Sequence, residues 1–157
     1  MSDARKWEGE FKRLFGRTLV GPEDDEFEDT KAELEDLGIE APDVLVRFCA
    51  SLDEGMDRLD LTGLGGQPTQ DLCDGYGLAE NNDPEEGTFG SLQAEGTIPK
   101  GLVMFGYGMT QLVWDAKGVL GAKGSIWQLD DMHTDGAKLL APSLGDLLAG
   151  AQAASLD

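Results

Sequence analysis

The 157-residue sequence predicts an α+β fold: N-terminal helices, an antiparallel β-sheet meander and a closing C-terminal helix. Two observations predict it. Apolar residues recur at helical spacing through the first third of the chain, and short apolar runs separated by glycine turns follow up to about residue 141. Helices followed by a run of strands favour α+β over a parallel α/β sheet. The 22 glycines, roughly double the usual share, fit a fold with many tight turns.

The first predicted helix carries an apolar face and ends at Gly16. Its face consists of residues at positions i, i+4, i+7 and i+8, namely Trp7, Phe11, Leu14 and Phe15. We assign residues 1–22 to an N-terminal helical extension and residues 23–157 to one α+β domain. Two roles suit Trp7, Phe11 and Phe15: they cap the core, or they form a dimer contact.

Two further helices are predicted before the sheet. The first spans about residues 25–37 and is followed by Gly38 as a C′ residue; Phe27, Leu34 and Leu37 lie on one side of it, with Thr30 between them. The second is opened by Pro42, since proline is tolerated at a first helical position, and is closed by Gly55. Its apolar stripe consists of Val44, Leu45, Phe48, Cys49 and Leu52.

From residue 59 the apolar residues alternate with polar ones, which is the two-residue period of a β-strand. Residues 59–64 alternate as a half-buried strand would, whereas residues 71–96 are polar and acidic and are interpreted as an exposed loop. Pro142 and Ser143 begin the closing helix. The remaining strands are predicted at residues 102–105, 110–115, 125–129 and 138–141.

Charge is concentrated in the middle of the chain. Between Glu23 and Glu95 there are 22 Asp and Glu but only 3 Lys and Arg, which accounts for the whole net charge of −19. Such a field repels nucleic acid and anionic membranes and attracts cationic proteins. We expect the charges on the predicted helices 25–37 and 42–52 to serve solubility, and those from Asp71 to Glu95 to meet a partner.

Residues suited to catalysis or metal binding are few. The single histidine, His133, lies with Asp130, Asp131 and Asp135 in six consecutive residues, where side chains do not readily converge on one ion. This pattern favours an exposed polar turn. A small hydrolase that uses Asp130, Asp131 and His133 is therefore the least favoured alternative. We predict no catalytic, cofactor-binding or metal-binding residues.

The two cysteines indicate neither a disulfide framework nor a zinc site. Cys49 lies on an apolar helical stripe, and Cys73 has acidic neighbours that oppose thiolate formation. The charged N-terminal residues do not resemble a secretory signal, and no apolar run is long enough to span a membrane. We therefore expect a cytoplasmic protein that contacts no membrane.

Three short motifs stand out along the chain. The first is KAELEDLGIEAPDVLVRFCASLDEG, with Leu37-Gly38, Ala41-Pro42 and Glu54-Gly55 at its turns. The second is the strand passage IPKGLVMFGYGMTQLVWDAKG, and the third is the closing helix with Ala141, Ser143, Leu144, Leu147 and Leu148. Together they resemble the opening, the strand passage and the closing helix of the SUKH superfamily, which includes fungal cell-wall assembly regulators and bacterial immunity proteins. The resemblance covers roughly residues 27–150, and the acidic segment 71–96 has no counterpart in it.

The resemblance implies a SUKH-like α+β domain that binds proteins and uses no cofactor. The function it implies is a non-enzymatic immunity protein that neutralises a cognate bacterial toxin, for example a nuclease, by direct binding. The alternative is a regulatory or scaffold module of the cell-wall assembly regulator type. The expected partner is a toxin with a basic surface, with no nucleic acid involved. The residues expected to bind it are Asp71, Asp74, Tyr76, Glu80, Asp83, Glu85 and Glu86.

Overall fold

A computed structural model describes residues 3–53 and 56–154, with the side chains of residues 3–5 excepted. The helices are α1 (Asp3–Phe15), α2 (Asp25–Asp36), α3 (Asp43–Ala50), α4 (Gly75–Asn82), α5 (Thr88–Ala94) and α6 (Leu144–Gly150). The strands are β1 (Arg58–Asp60), β2 (Gln70–Leu72), β3 (Leu102–Tyr107), β4 (Thr110–Asp115), β5 (Ile126–Asp130), β6 (His133–Ala141) and β7 (Gln152–Ala153). The predicted α+β class, with helices first and a closing helix, is confirmed.

The strands form one antiparallel sheet in the order β6-β5-β4-β3-β2-β1-β7. β3, β4 and β5 are the middle of the meander, and every residue of β3 and β4 except Tyr107 is buried. β7 pairs with β1 through Ala153 and Leu59 and so forms the edge of the sheet opposite β6. None of the helices among the described residues is long and apolar enough to cross a bilayer.

One face of the sheet is covered by α1, α2, α3 and α6. A chain of edge-to-face aromatic contacts runs through this layer, with Phe48 packed against Trp7, Phe11 and Phe105 at centroid separations of 6.3, 5.9 and 6.2 Å. Trp7 and Phe11 are buried in the same core as the strands. The N-terminal aromatic residues therefore cap the core, which was one of their two predicted roles.

α1 is also tied to α6 by polar contacts. Arg13 donates hydrogen bonds to the carbonyl oxygens of Leu148 and Ala151 at 2.8 and 3.1 Å, and so satisfies acceptors that the end of α6 leaves free. Lys6 forms an ion pair with Asp146, and the hydrogen bond from Lys6 lowers the pKa of Asp146. α6 itself begins with the predicted cap, because the Ser143 hydroxyl accepts from the Asp146 N–H at 3.2 Å.

The resemblance motifs lie at element boundaries in this fold. Gly38 has a φ of +75°, and the Ile39 N–H donates to the Leu34 carbonyl at 2.9 Å, so α2 ends in the Schellman geometry that glycine permits. Pro42 is the residue before α3 and has extended backbone. α3 ends at Ala50, earlier than the predicted stop at Gly55. Glu54 and Gly55 lie outside the described residues.

The prediction of an exposed loop over residues 71–96 is wrong. The segment forms the end of β2 and the helices α4 and α5, and it buries Leu72, Leu78 and Phe89 completely. Phe89 belongs to a second apolar cluster with Ile98, Met104 and others on the opposite face of the sheet. The two helices have 8 and 7 residues and contain glycines, so neither is long enough to display a clear helical period.

Smaller differences have equally local causes. The strand predicted over residues 59–64 ends at Asp60, because the Asp60 carboxylate accepts hydrogen bonds from the Thr62 N–H and hydroxyl at 2.9 and 2.6 Å. Those bonds turn the chain into a short 3₁₀ helix over Thr62–Leu64. The last strand begins at His133 instead of Lys138. Its glycine at position 136 has a φ of +78° at a register shift, which breaks the alternation that sequence patterns rely on.

Candidate protein-binding face

α2 and α4 lie side by side because the first residue of α4 is a glycine. α4 is capped by Asp74, whose carboxylate accepts a hydrogen bond from the Gly77 N–H at 2.6 Å. At Gly75 the backbone approaches α2 so closely that a Cβ would clash with the Thr30 hydroxyl. Contact at Gly75 and Thr30 therefore joins the acidic helix α2 to the segment that follows β2.

Exposed carboxylates flank this contact. Glu26 and Glu33 stand at i−4 and i+3 from Thr30 and so share its side of α2, and both are exposed, as is Asp29. On α4, Tyr76 and Glu80 are four residues apart, and the Tyr76 side chain is 65% exposed. We call the set Glu26, Asp29, Glu33, Tyr76 and Glu80 the α2–α4 face.

No basic residue belongs to the α2–α4 face. α4 contains none, and the one lysine of α2, Lys31, lies on the other flank of the helix, where it pairs with Asp43 at 3.4 Å. An exposed aromatic ring on a face whose carboxylates form no ion pair with the described residues is suited to a cationic protein surface. The ring supplies a rigid anchor, and the carboxylates supply long-range attraction.

The seven partner-binding residues predicted from sequence fall into three groups. Tyr76 and Glu80 are exposed on α4 and belong to the α2–α4 face. Two others hold local structure: Asp71 accepts from the Arg58 guanidinium at 2.5 Å across β1 and β2, and Asp74 caps α4. Their carboxylates are occupied within the fold.

The third group forms the turn between α4 and α5. Asp83 accepts a hydrogen bond from the Glu85 N–H at 2.9 Å, and Glu85 and Glu86 are exposed. The helices pack closely after this turn, because a Cβ at Gly87 or Gly90 would meet carbonyl oxygens of α4. The turn therefore holds three carboxylates at the carboxyl end of α4, beyond Glu80.

The support beneath the face is a buried amide. Asn82 is 3% exposed and bonds the Met104 backbone in both directions, accepting from its N–H at 2.9 Å and donating to its carbonyl at 2.8 Å. β2 pairs with β3 only at Gly106 and Tyr107, so this part of the β3 edge would otherwise lack a partner. Gln93 of α5 donates to the Leu102 carbonyl at 2.7 Å in the same way. These amides fix α4 and α5 to the sheet.

The histidine region forms the predicted exposed turn. Asp130 and His133 are opposite each other in the strand register at the end of the β5–β6 hairpin. The two residues between them, Asp131 and Met132, have φ values of +50° and +65°. Both central residues of a two-residue hairpin of the I′ type have positive φ. Within the described parts of the chain, no group of three or more His, Cys, Asp or Glu is placed to hold a metal ion.

Cys49 lies beneath the site but is inaccessible. It is fully buried on α3, and this burial, with a smaller effect of Cys73 and Asp74, raises its pKa well above the ordinary value. A thiol held in its protonated form packs as a small apolar group, which is the role predicted for it.

The sequence analysis expects different roles for the charges of α2 and for those that follow β2, whereas the fold places the two segments side by side. One signal was present: Asp-Gly at positions 74–75 is an N-cap followed by a residue able to approach another helix closely. No protein-family model matches this chain, and no curated protein shows significant similarity to it. The SUKH resemblance accordingly stays a prediction from short motifs.

Proposed function

We propose that this protein is a cytoplasmic immunity protein that neutralises a cognate cationic toxin by binding it through the α2–α4 face. The observation that carries the proposal is the contact of Gly75 with Thr30, which brings the acidic helix α2 beside α4 and its exposed Tyr76. The SUKH-like motifs favour the immunity role. The chemistry of the face favours binding by electrostatic attraction and an aromatic anchor.

A nuclease is the toxin class that this chemistry suits best. Enzymes that act on nucleic acids present cationic surfaces to phosphates, and an array of carboxylates can occupy such a surface in place of the substrate. Glu26, Glu33 and Glu80 are exposed and free of ion pairs among those formed by the described residues. They can therefore accept new partners without first breaking old ones.

Co-expression with the protein encoded by the adjacent gene tests the proposal. We expect that protein to stop growth when produced alone and growth to be restored when this protein is produced with it. Tyr76→Ala should lose most of the protection, because truncation removes the anchor. Met109→Ala is the control, since Met109 is a large exposed side chain, 89% accessible, in the β3–β4 turn and outside the α2–α4 face.

Two outcomes contradict the proposal. The neighbouring protein could be harmless alone, in which case there is nothing to neutralise. Alternatively, Tyr76→Ala and Met109→Ala could protect equally well, which would place the contact elsewhere on the molecule. Soluble amounts of each variant are measured in the same cells, so that loss of protection is separated from loss of folding.

A further inference from the structure

A second surface of opposite character lies on the other flank of α2. There a groove of about 460 Å³ opens between α2, α3 and the loop that follows β4. Its floor is apolar, and three lysines from two distant segments stand on its rim: Lys31, Lys117 and Lys123. The floor is formed by Leu34, Ile39, Ala41, Pro42, Val46 and Ala116.

The groove continues towards α5. A neighbouring depression of about 330 Å³ shares Ile39, Glu40 and Lys117 with it and adds Lys100. We call these two adjoining depressions together the lysine groove. Their open form and their shared wall suit a stretch of extended chain better than a compact small molecule.

Lysines are concentrated in the lysine groove, although the chain as a whole is strongly acidic. The chain has seven lysines and a net charge of −19, yet four of the seven line the lysine groove, against the two glutamates Glu35 and Glu40. Lys117 pairs with Glu40 at 3.0 Å. Lys100 and Lys123 are exposed and take part in none of the ion pairs formed among the described residues. Two ammonium groups are thus available beside an apolar floor.

The loop that carries Lys117 and Lys123 is held in place by a buried carboxylate. Asp115 is completely buried and accepts hydrogen bonds from three successive backbone N–H groups, those of Val119, Leu120 and Gly121, at 2.8, 2.8 and 3.0 Å. The Gly124 N–H also donates to the Asp115 carbonyl at 2.8 Å. The two lysine backbones are therefore preorganised, which lowers the entropy cost of binding.

We propose that the lysine groove binds an acidic peptide segment that places an apolar side chain on the floor and carboxylates beside Lys123 and Lys100. Lysine suits this task, because its flexible stem and point charge accept carboxylates at variable positions. The apolar floor requires a side chain to cover it. A long polyanion such as nucleic acid is disfavoured, since the whole molecule repels it, whereas a short segment carries few charges.

The test is a titration of the ¹⁵N-labelled full chain, followed by NMR, with a capped seven-residue peptide of alternating leucine and glutamate. The backbone amides of Ile39, Ala116 and Lys117 should shift progressively. A peptide of alternating leucine and lysine should leave these amides unchanged. Sodium acetate at the same carboxylate concentration should also leave them unchanged, because it carries no apolar side chain.

Two charge-reversal variants, one inside the lysine groove and one outside it, test the role of the lysines in binding. Lys123→Glu should weaken binding of the acidic peptide roughly three- to tenfold, as expected when an attractive charge at an exposed rim becomes repulsive. Lys12→Glu makes the same charge change on the exposed side of α1 and should alter the Kd by less than twofold.

Three results would overturn the proposal. The first is the absence of shifts at these amides at millimolar peptide. The second is an equal Kd for Lys123→Glu and Lys12→Glu. The third is reproduction of the shifts by acetate, which would identify the occupant as a free small carboxylate. None of these results bears on the α2–α4 face, which Lys123→Glu leaves intact.

Discussion

At the scale of single residues, the surroundings of three buried groups decide the hydrogen bonds of two and the pKa of the third. Asp115 is ringed by backbone donors, Asn82 is matched to one strand residue, and Cys49 lies in an apolar core that disfavours its thiolate. The first two arrangements hold loops and helices in place. The third makes stability depend on pH in the alkaline range.

The raised pKa of Cys49 predicts a loss of stability in alkali. A thiol whose pKa is higher in the folded state than its ordinary value of 9.0 contributes stability below pH 9, and that contribution is lost as the pH rises through this value. The free energy of unfolding, measured by urea denaturation, should therefore fall above about pH 9, with a slope approaching 1.4 kcal/mol per pH unit from this group.

Cys49→Ala is the comparison for that measurement. The variant is expected to be less stable at neutral pH because it leaves a small void, but its free energy of unfolding should decline less steeply above about pH 9. Equal slopes for the two proteins would show that the Cys49 thiol does not have a raised pKa in the folded state.

At the scale of elements, three glycines allow the backbones of neighbouring helices to approach one another closely. Gly75 brings α4 against Thr30, and Gly87 and Gly90 bring α5 against the carboxyl end of α4. These contacts explain why the sequence pattern of residues 71–96 predicts a loop, although the structure has two helices there. Its helices are short, and they are stabilised by approach to other elements, which no local pattern discloses. By contrast, α1, α3, β3 and β4 were predictable because long apolar stripes or runs mark them.

Gly75→Ala should destabilise the protein by about 1–3 kcal/mol, because the added methyl group forces α4 away from α2. Thr30→Ala in the same chain should restore part of the loss by removing the hydroxyl that the new Cβ meets. Urea denaturation of the single and double variants measures both effects.

Gly9→Ala is the control for that experiment. Nothing lies within 4 Å of a Cβ at Gly9 in α1, so the same substitution there should stabilise the chain by about 0.5–1 kcal/mol. If Gly75→Ala were as harmless as Gly9→Ala, α2 and α4 would not be in the close contact on which the α2–α4 face depends.

At the scale of the whole molecule, the carboxylates of the α2–α4 face and the lysines of the lysine groove occupy different flanks of α2. The acidic segment from Glu23 to Glu95 could be recognised from composition alone, and it predicted a cationic partner. The division of this segment into solubility charges on the early helices and binding charges after β2 stays a prediction, but the contact of Gly75 with Thr30 places α2 beside α4. The sequence does not predict the lysine groove, since Lys31 and Lys123 line one depression, and Lys100 the adjoining one, only when the loop after β4 packs beside α2.

The most direct test of the α2–α4 face is the association rate constant with the purified protein encoded by the adjacent gene, the proposed partner, measured by stopped flow across a range of salt concentrations. Screening acts over about 10 Å at 0.1 M salt, so the rate should fall steeply as salt is added. Glu80→Lys should lower the rate at low salt, whereas Glu95→Lys, an equal charge change at the end of α5, should have a smaller effect. A rate that is independent of salt, or equal slowing by the two substitutions, would contradict the assignment of binding to the α2–α4 face.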